Sequence, residues 1–178
     1  WAGWFVLWLM VGTVIPAGAA GDPLILVLTA DGAVTPAMEE YLQRGIRSAG
    51  QRGAEMLVFQ LNTPGGSISV MNEMVQAIRQ SDVPVVVYVA PRGAMAGSAG
   101  AILTIAGHAS AMAPETIIGA ASPVSGEGQD LDETMLAKEK NALIATIETL
   151  MEDRPPEAVE VARQTVETAK AVSAKEAL

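Results

Sequence analysis

A repeated alternation of short apolar runs with helical patterns constrains this chain more than any other feature. Residues 23–29 (PLILVLT), 55–61 (EMLVFQL) and 83–90 (VPVVVYVA) have strand length, and continuous apolar runs of that length suit strands buried in a sheet. Between the first two, Thr35 offers a helix N-cap with Glu39 and Glu40 close behind. That helix is expected to run to about Ser48 and to stop at Gly50 or Gly53. Residues 68–79 put Val70, Met74, Val75 and Ile78 on one side of a second helix. Beyond the third run, 91–97 reads as a loop, 98–106 as a helix of small residues, and 110–112 and 116–119 as short strands. A long helix over 131–151 ends before Pro155 and Pro156, and another covers 157–168. Such strand–helix repeats are βαβ units, so the expected fold class is α/β around a mainly parallel sheet. With only 4% aromatic residues, the core must be built from Ala, Val, Leu, Ile and Met.

The first charged residue is Asp22. Before it stand an apolar stretch with Trp1, Trp4, Phe5 and Trp8, then Pro16, then an Ala-x-Ala site at Ala17 and Ala19. These are the parts of a secretory signal peptide over 1–20, with an uncleaved membrane anchor as the alternative. Either way, the single domain over 22–178 is expected outside the cytoplasm. The chain opens on Trp1 rather than Met, so further sequence is expected at its ends.

Net charge is −9, which argues against binding the phosphates of a nucleic acid. Cysteine is absent, which excludes disulfides, thiolate metal sites and a thiol nucleophile.

Three segments carry chemistry. The first, Asn62-Thr63-Pro64-Gly65-Gly66-Ser67, follows a strand; its glycines leave backbone N–H groups uncovered, as a developing oxyanion requires. Taken alone it is a turn. The second, 91–101 (PRGAMAGSAGA), opens a helix at Ser98, whose hydroxyl would sit beside free N–H groups and the positive end of the helix dipole. Taken alone, Ser98 is an N-cap. The third is a lysine on the long helix. Lys138 shares a stripe with Leu131, Met135, Ala142 and Ala145, whereas Lys140 is ringed by Leu136, Leu143, Ile144 and Ile147. Desolvation on such a stripe would favour the neutral amine of a general base, and working near neutral pH asks about 4 kcal/mol of differential solvation. Periodicity leaves both lysines open. The single histidine, His108, stands ten residues after Ser98, near the end of the same expected helix, an axial rise of about 15 Å. That is too far for a Ser–His–Asp arrangement, and a structural or surface role suits it better.

Taken in this order, LNTPGG, PRGAMAGSAGA, IIGAASPV, Lys138 followed by Asn141, and the closing SAKEAL resemble the protease domain of the NfeD family, within the Clp-protease/crotonase-like superfamily. The resemblance covers nearly all of 23–178. It implies a Clp-protease/crotonase-like fold and a serine endopeptidase with Ser98 as nucleophile and Lys138, rather than Lys140, as base. It further implies oxyanion donors at Gly66 and Ala99, with Gly65, Gly93, Ala94 and Gly97 along the substrate. Clp subunits carry a basic His after the nucleophile helix; 117–123 (IIGAASP) has none, in keeping with a Ser–Lys dyad. No cofactor or metal is implied. The implied substrates are apolar segments of stomatin- or flotillin-like membrane proteins, and the implied assembly is a homodimer. The alternatives are a non-catalytic scaffold for such partners and an acyl-CoA-handling crotonase relative. The Gly-rich loop 119–129 would gate the site.

Overall fold

In the computed structural model, the described residues are 22–123 and 133–177. The expected signal segment, and most of the expected gating loop, lie outside them.

Strands β1 (Ile25–Asp31), β2 (Met56–Asn62) and β3 (Val85–Val89) alternate with helices α1 (Pro36–Gln51) and α2 (Ile68–Arg79). Then come β4 (Met95–Gly97), α3 (Ala99–Ala106), β5 (Ala109–Met112), β6 (Ile117–Gly119), α4 (Glu133–Leu150), α5 (Pro156–Glu167) and β7 (Ala171–Ser173). β1, β2, β3 and β5 form an all-parallel sheet in the order β1-β2-β3-β5. β4, β6 and β7 form a second, smaller sheet in which only β7 runs antiparallel to its neighbour. The mainly parallel α/β architecture is as the alternation requires.

Local chemistry sets the helix ends. Thr35 Oγ1 accepts from Met38 N–H, with Pro36 in the first turn. α1 passes Ser48, ends at Gln51 with Arg52 as its cap, and is followed by Gly53 at φ +63, one of its two expected stops. Ser67 Oγ accepts from Val70 N–H and starts α2. In the strands, alternate residues Leu57, Phe59, Leu61, Val85 and Val87 are fully buried and share one core with Met38 and Leu42 of α1 and Met71, Met74 and Ile78 of α2. The other sheet face is open: Ile25 is 46% and Val27 59% exposed. β1 is therefore not the fully buried strand its apolar run suggests. A run of Leu, Ile and Val reports strand propensity without reporting whether a second layer exists.

Short β4 and β7 were not expected. Neither has room for a periodic pattern; both are created by partners distant in sequence, as the site shows.

Candidate active site

The parallel strands all deliver their carboxyl ends to one side, where loops gather ligand-binding groups. There the NTPGG loop after β2 meets the segment after β3. Thr63 bridges Ala96 in parallel, its N–H donating to Met95 C=O at 2.8 Å and its C=O accepting from Gly97 N–H at 2.9 Å. Asn62 Oδ1 accepts from Met95 N–H at 3.0 Å, and Asn62 Nδ2 donates to Asp31 at 3.2 Å. On the other flank, Val34 N–H donates to Gly65 C=O and Ser67 N–H to Val34 C=O. The glycine loop is thus held from both sides.

Ser98 stands where β4 turns into α3. Its backbone has φ +50 and ψ −118, and its side chain makes no capping bond. A non-glycine residue at such angles costs about 1–3 kcal/mol, and such outliers cluster at functional sites. The turn is fixed by Ser98 N–H donating to Gly119 C=O at 2.8 Å. The N-cap explanation for Ser98 is thereby removed: Thr35 and Ser67 cap their helices, and Ser98 does not. A sharp strand-to-helix turn that holds a serine hydroxyl off its own helix is the device that exposes hydrolase nucleophiles.

Gly65 lies directly against Ser98. A Cβ on Gly65 would stand 2.6 Å from Ser98 Cβ and 3.2 Å from Ser98 Oγ, and φ there is +115. Gly65 N–H donates to Thr63 Oγ1 at 3.1 Å. Gly66 is exposed, and Ala99 is the first residue of α3. Among the described residues, the N–H groups of both are without a hydrogen-bond partner. Gly97 is buried beside Ser98, next to Pro64 C=O. Ala94 is buried with Val89 and Ala96, and Gly93 is exposed with nothing within 4 Å of where its Cβ would stand.

The lysine stripe needs correction. Lys138 is exposed, as are Met135, Ala142 and Ala145. The core-facing seam of α4 is Leu143 and Ile147, flanked by half-buried Leu136, Lys140, Ile144 and Leu150. The branched aliphatic side buries more carbon than the Met/Ala side, so packing selects it. Half-buried Lys140 donates to Glu167 C=O at 3.5 Å. α4 packs across α3, the helix that begins beside Ser98. His108 lies beyond α3, and its Nδ1 accepts from Val85 N–H at 3.1 Å, a structural role at the start of β3.

An exposed ion pair joins the segments that lead into β4 and β6. Arg92 Nε donates to Glu115 at 2.7 Å, and the guanidinium holds the Glu115 carboxyl below the usual carboxylate range. Thr63, Asn62 and Gly119 are supports of the candidate site that sequence reasoning missed. The threonine and asparagine stood inside the quoted motif, yet their partners lie about thirty residues away along the chain.

The sequence pattern described as NfeD1b, N-terminal domain, matches residues 24–178. The chain belongs to this family. Over 107 residues it is 40% identical to the membrane-bound protease PH1510 of Pyrococcus horikoshii, covering 60% of this chain and 24% of that protein. The chain thus spans about a quarter of the length of the curated relatives it matches. Among solved structures, the NfeD1b-type domain is similar to the 1510-N membrane-bound stomatin-specific protease, solved as a lysine-to-alanine mutant in complex with a substrate peptide. The TM-score is 0.78 at 32% identity, over 89% of this chain and 72% of that one. The same protease is also solved as a serine-to-alanine mutant. ClpP1 from Listeria monocytogenes shares the fold, with TM-score 0.68 at 13% identity over 85% of this chain and 84% of that one. The architecture is accordingly Clp-protease-like.

Proposed function

We propose that this NfeD1b-type domain is an extracytoplasmic serine endopeptidase in which Ser98 is the nucleophile and Lys138 the general base. The observation that carries the reading is the Ser98 backbone at φ +50, with its hydroxyl withheld from helix capping. Two uncovered N–H groups, on Gly66 and Ala99, flank the turn and supply the oxyanion donors. The relative solved as serine and lysine mutants, and named a stomatin-specific protease, supports the same chemistry and a stomatin-like substrate.

Ser98 Oγ attacks the scissile carbonyl carbon while neutral Lys138 takes the hydroxyl proton. The carbonyl oxygen becomes an oxyanion and accepts from Gly66 and Ala99 N–H. As the C–N bond breaks, Lys138 returns the proton to the leaving amine. Water, deprotonated by Lys138, then attacks the acyl carbon; as the Ser98 Oγ–C bond breaks, the acid leaves and Lys138 returns the proton to Oγ. An extended apolar peptide lies along Gly65, Gly93, Ala94 and Gly97. Because Lys138 is exposed in the single chain, its desolvation falls to whatever covers that side of α4: bound substrate, or a second copy in a homodimer.

The test is cleavage of an internally quenched peptide rich in Val, Leu and Ala. Ser98→Ala and Lys138→Ala are each expected to abolish turnover with the fold intact by circular dichroism. A folded wild type that neither cleaves nor labels with a serine-reactive fluorophosphonate would instead identify a scaffold.

A further inference from the structure

Thr63 is fully buried, and nothing in the mechanism above uses its hydroxyl. That hydroxyl is committed at both ends to one residue: Oγ1 accepts from Gly65 N–H at 3.1 Å and donates to Gly65 C=O at 3.3 Å. The same carbonyl accepts from Val34 N–H at 2.8 Å. Gly65 C=O and Gly66 N–H belong to one planar trans peptide, so they point in opposite directions. Holding the carbonyl inward therefore aims Gly66 N–H outward. A glycine–glycine peptide has no side chain to resist rotation, so its orientation must be imposed from outside.

We infer that Thr63 is a positioning residue whose hydroxyl locks the Gly65–Gly66 peptide and so presents Gly66 N–H to the oxyanion. The inference rests on the proposed role of Gly66. The threonine's two branches have separable duties. Its Oγ1 holds the peptide; its Cγ2 fills the space beside Gly100, standing 2.4 Å from where a Cβ on Gly100 would be.

That division makes the test decisive. Thr63→Val keeps the methyl and removes the hydroxyl; Thr63→Ser does the reverse. Both are compared with wild type and Ser98→Ala on the quenched apolar peptide, with melting temperature recorded for each. Thr63→Val is expected to lower kcat about tenfold or more with KM little changed, because an oxyanion donor acts in the transition state. Thr63→Ser is expected to keep kcat within about threefold, even where loss of the methyl lowers its melting temperature. Fluorophosphonate labelling should slow in Thr63→Val in parallel with kcat. A folded Thr63→Val with wild-type kcat overturns the inference, as does a Thr63→Ser that loses tenfold. If Thr63→Val does not fold, Thr63→Ser decides alone on the same threshold. Turnover that survives Ser98→Ala sinks the serine mechanism itself, and with it this role for Thr63; turnover lost in Ser98→Ala but kept in Thr63→Val sinks only the lock.

Discussion

Gly65→Ala tests the geometry of the site most directly, because the chain supplies its own control. Gly65 has φ +115 and Gly32 has φ +114. An alanine at either position meets nearly the same φ strain, about 1–3 kcal/mol. The surroundings differ. At Gly32 a Cβ meets nothing within 4 Å, whereas at Gly65 it meets Ser98 Cβ at 2.6 Å. Ordinary carbon contacts are about 3.5–4.0 Å, so the Gly65 loop and Ser98 must separate by about 1 Å. Overpacking of this kind costs about 1–3 kcal/mol beyond the strain. For a domain of this length that is about 2–12 °C in melting temperature beyond the loss in Gly32→Ala. A reacting group displaced by about 1 Å loses on the order of a hundredfold in rate. Calorimetry and peptide turnover on wild type, Gly32→Ala and Gly65→Ala give both numbers. Gly32→Ala is expected to melt lower with turnover intact, and Gly65→Ala to lose both. Equal turnover in the two variants would show that the NTPGG loop does not seat Ser98, and the site as described would be wrong.

Ser98→Gly should abolish cleavage yet raise stability by roughly 0.5–2 kcal/mol, since glycine relieves the positive φ; a melting temperature below that of Ser98→Ala would contradict the strain. On α4, Ile147→Ala should cost about 2–5 kcal/mol in chemical denaturation and Met135→Ala less than about 0.5, because only the first is core-facing; similar losses would mean the wrong face has been assigned. Glu176 accepts from Ser173 N–H at 2.9 Å and Ser173 Oγ at 2.8 Å, which lowers its carboxyl from the ordinary 4.5. This tie to β7 is fully present above pH 4.5 and is lost as the pH falls through the lower folded value. A carboxyl-carbon titration by NMR with its midpoint at or above the ordinary value would remove the tie.

Much of this was legible in the residues. Helical periodicity placed α2 at its observed bounds, and the Thr35 cap marked where α1 begins. The two glycine-bearing loops stood out because uncovered backbone is what an oxyanion needs. The third element of the chemistry was legible only in part. Helical spacing drew two candidate stripes on α4, and packing then chose the branched one around Leu143 and Ile147, leaving Lys138 facing outward. Gly93 and Ala94 share the motif that holds Ser98, yet one is exposed and the other buried. Proximity along the chain did not predict equal exposure.

The sequence by itself determined the α/β class, the Thr35 cap of α1 and the short list of groups able to do chemistry, because these follow from periodicity and from the side chain of each residue. Only the tertiary structure decided which of those groups are free to act. Ser98 loses its capping role because Gly119 holds its backbone at positive φ; among the described residues Gly66 N–H stays unpaired because Thr63 and Val34 claim the carbonyl of the same peptide. Those bonds join residues that are far apart along the chain or oriented by such partners, and a contact of that kind leaves no periodic trace for a sequence to display.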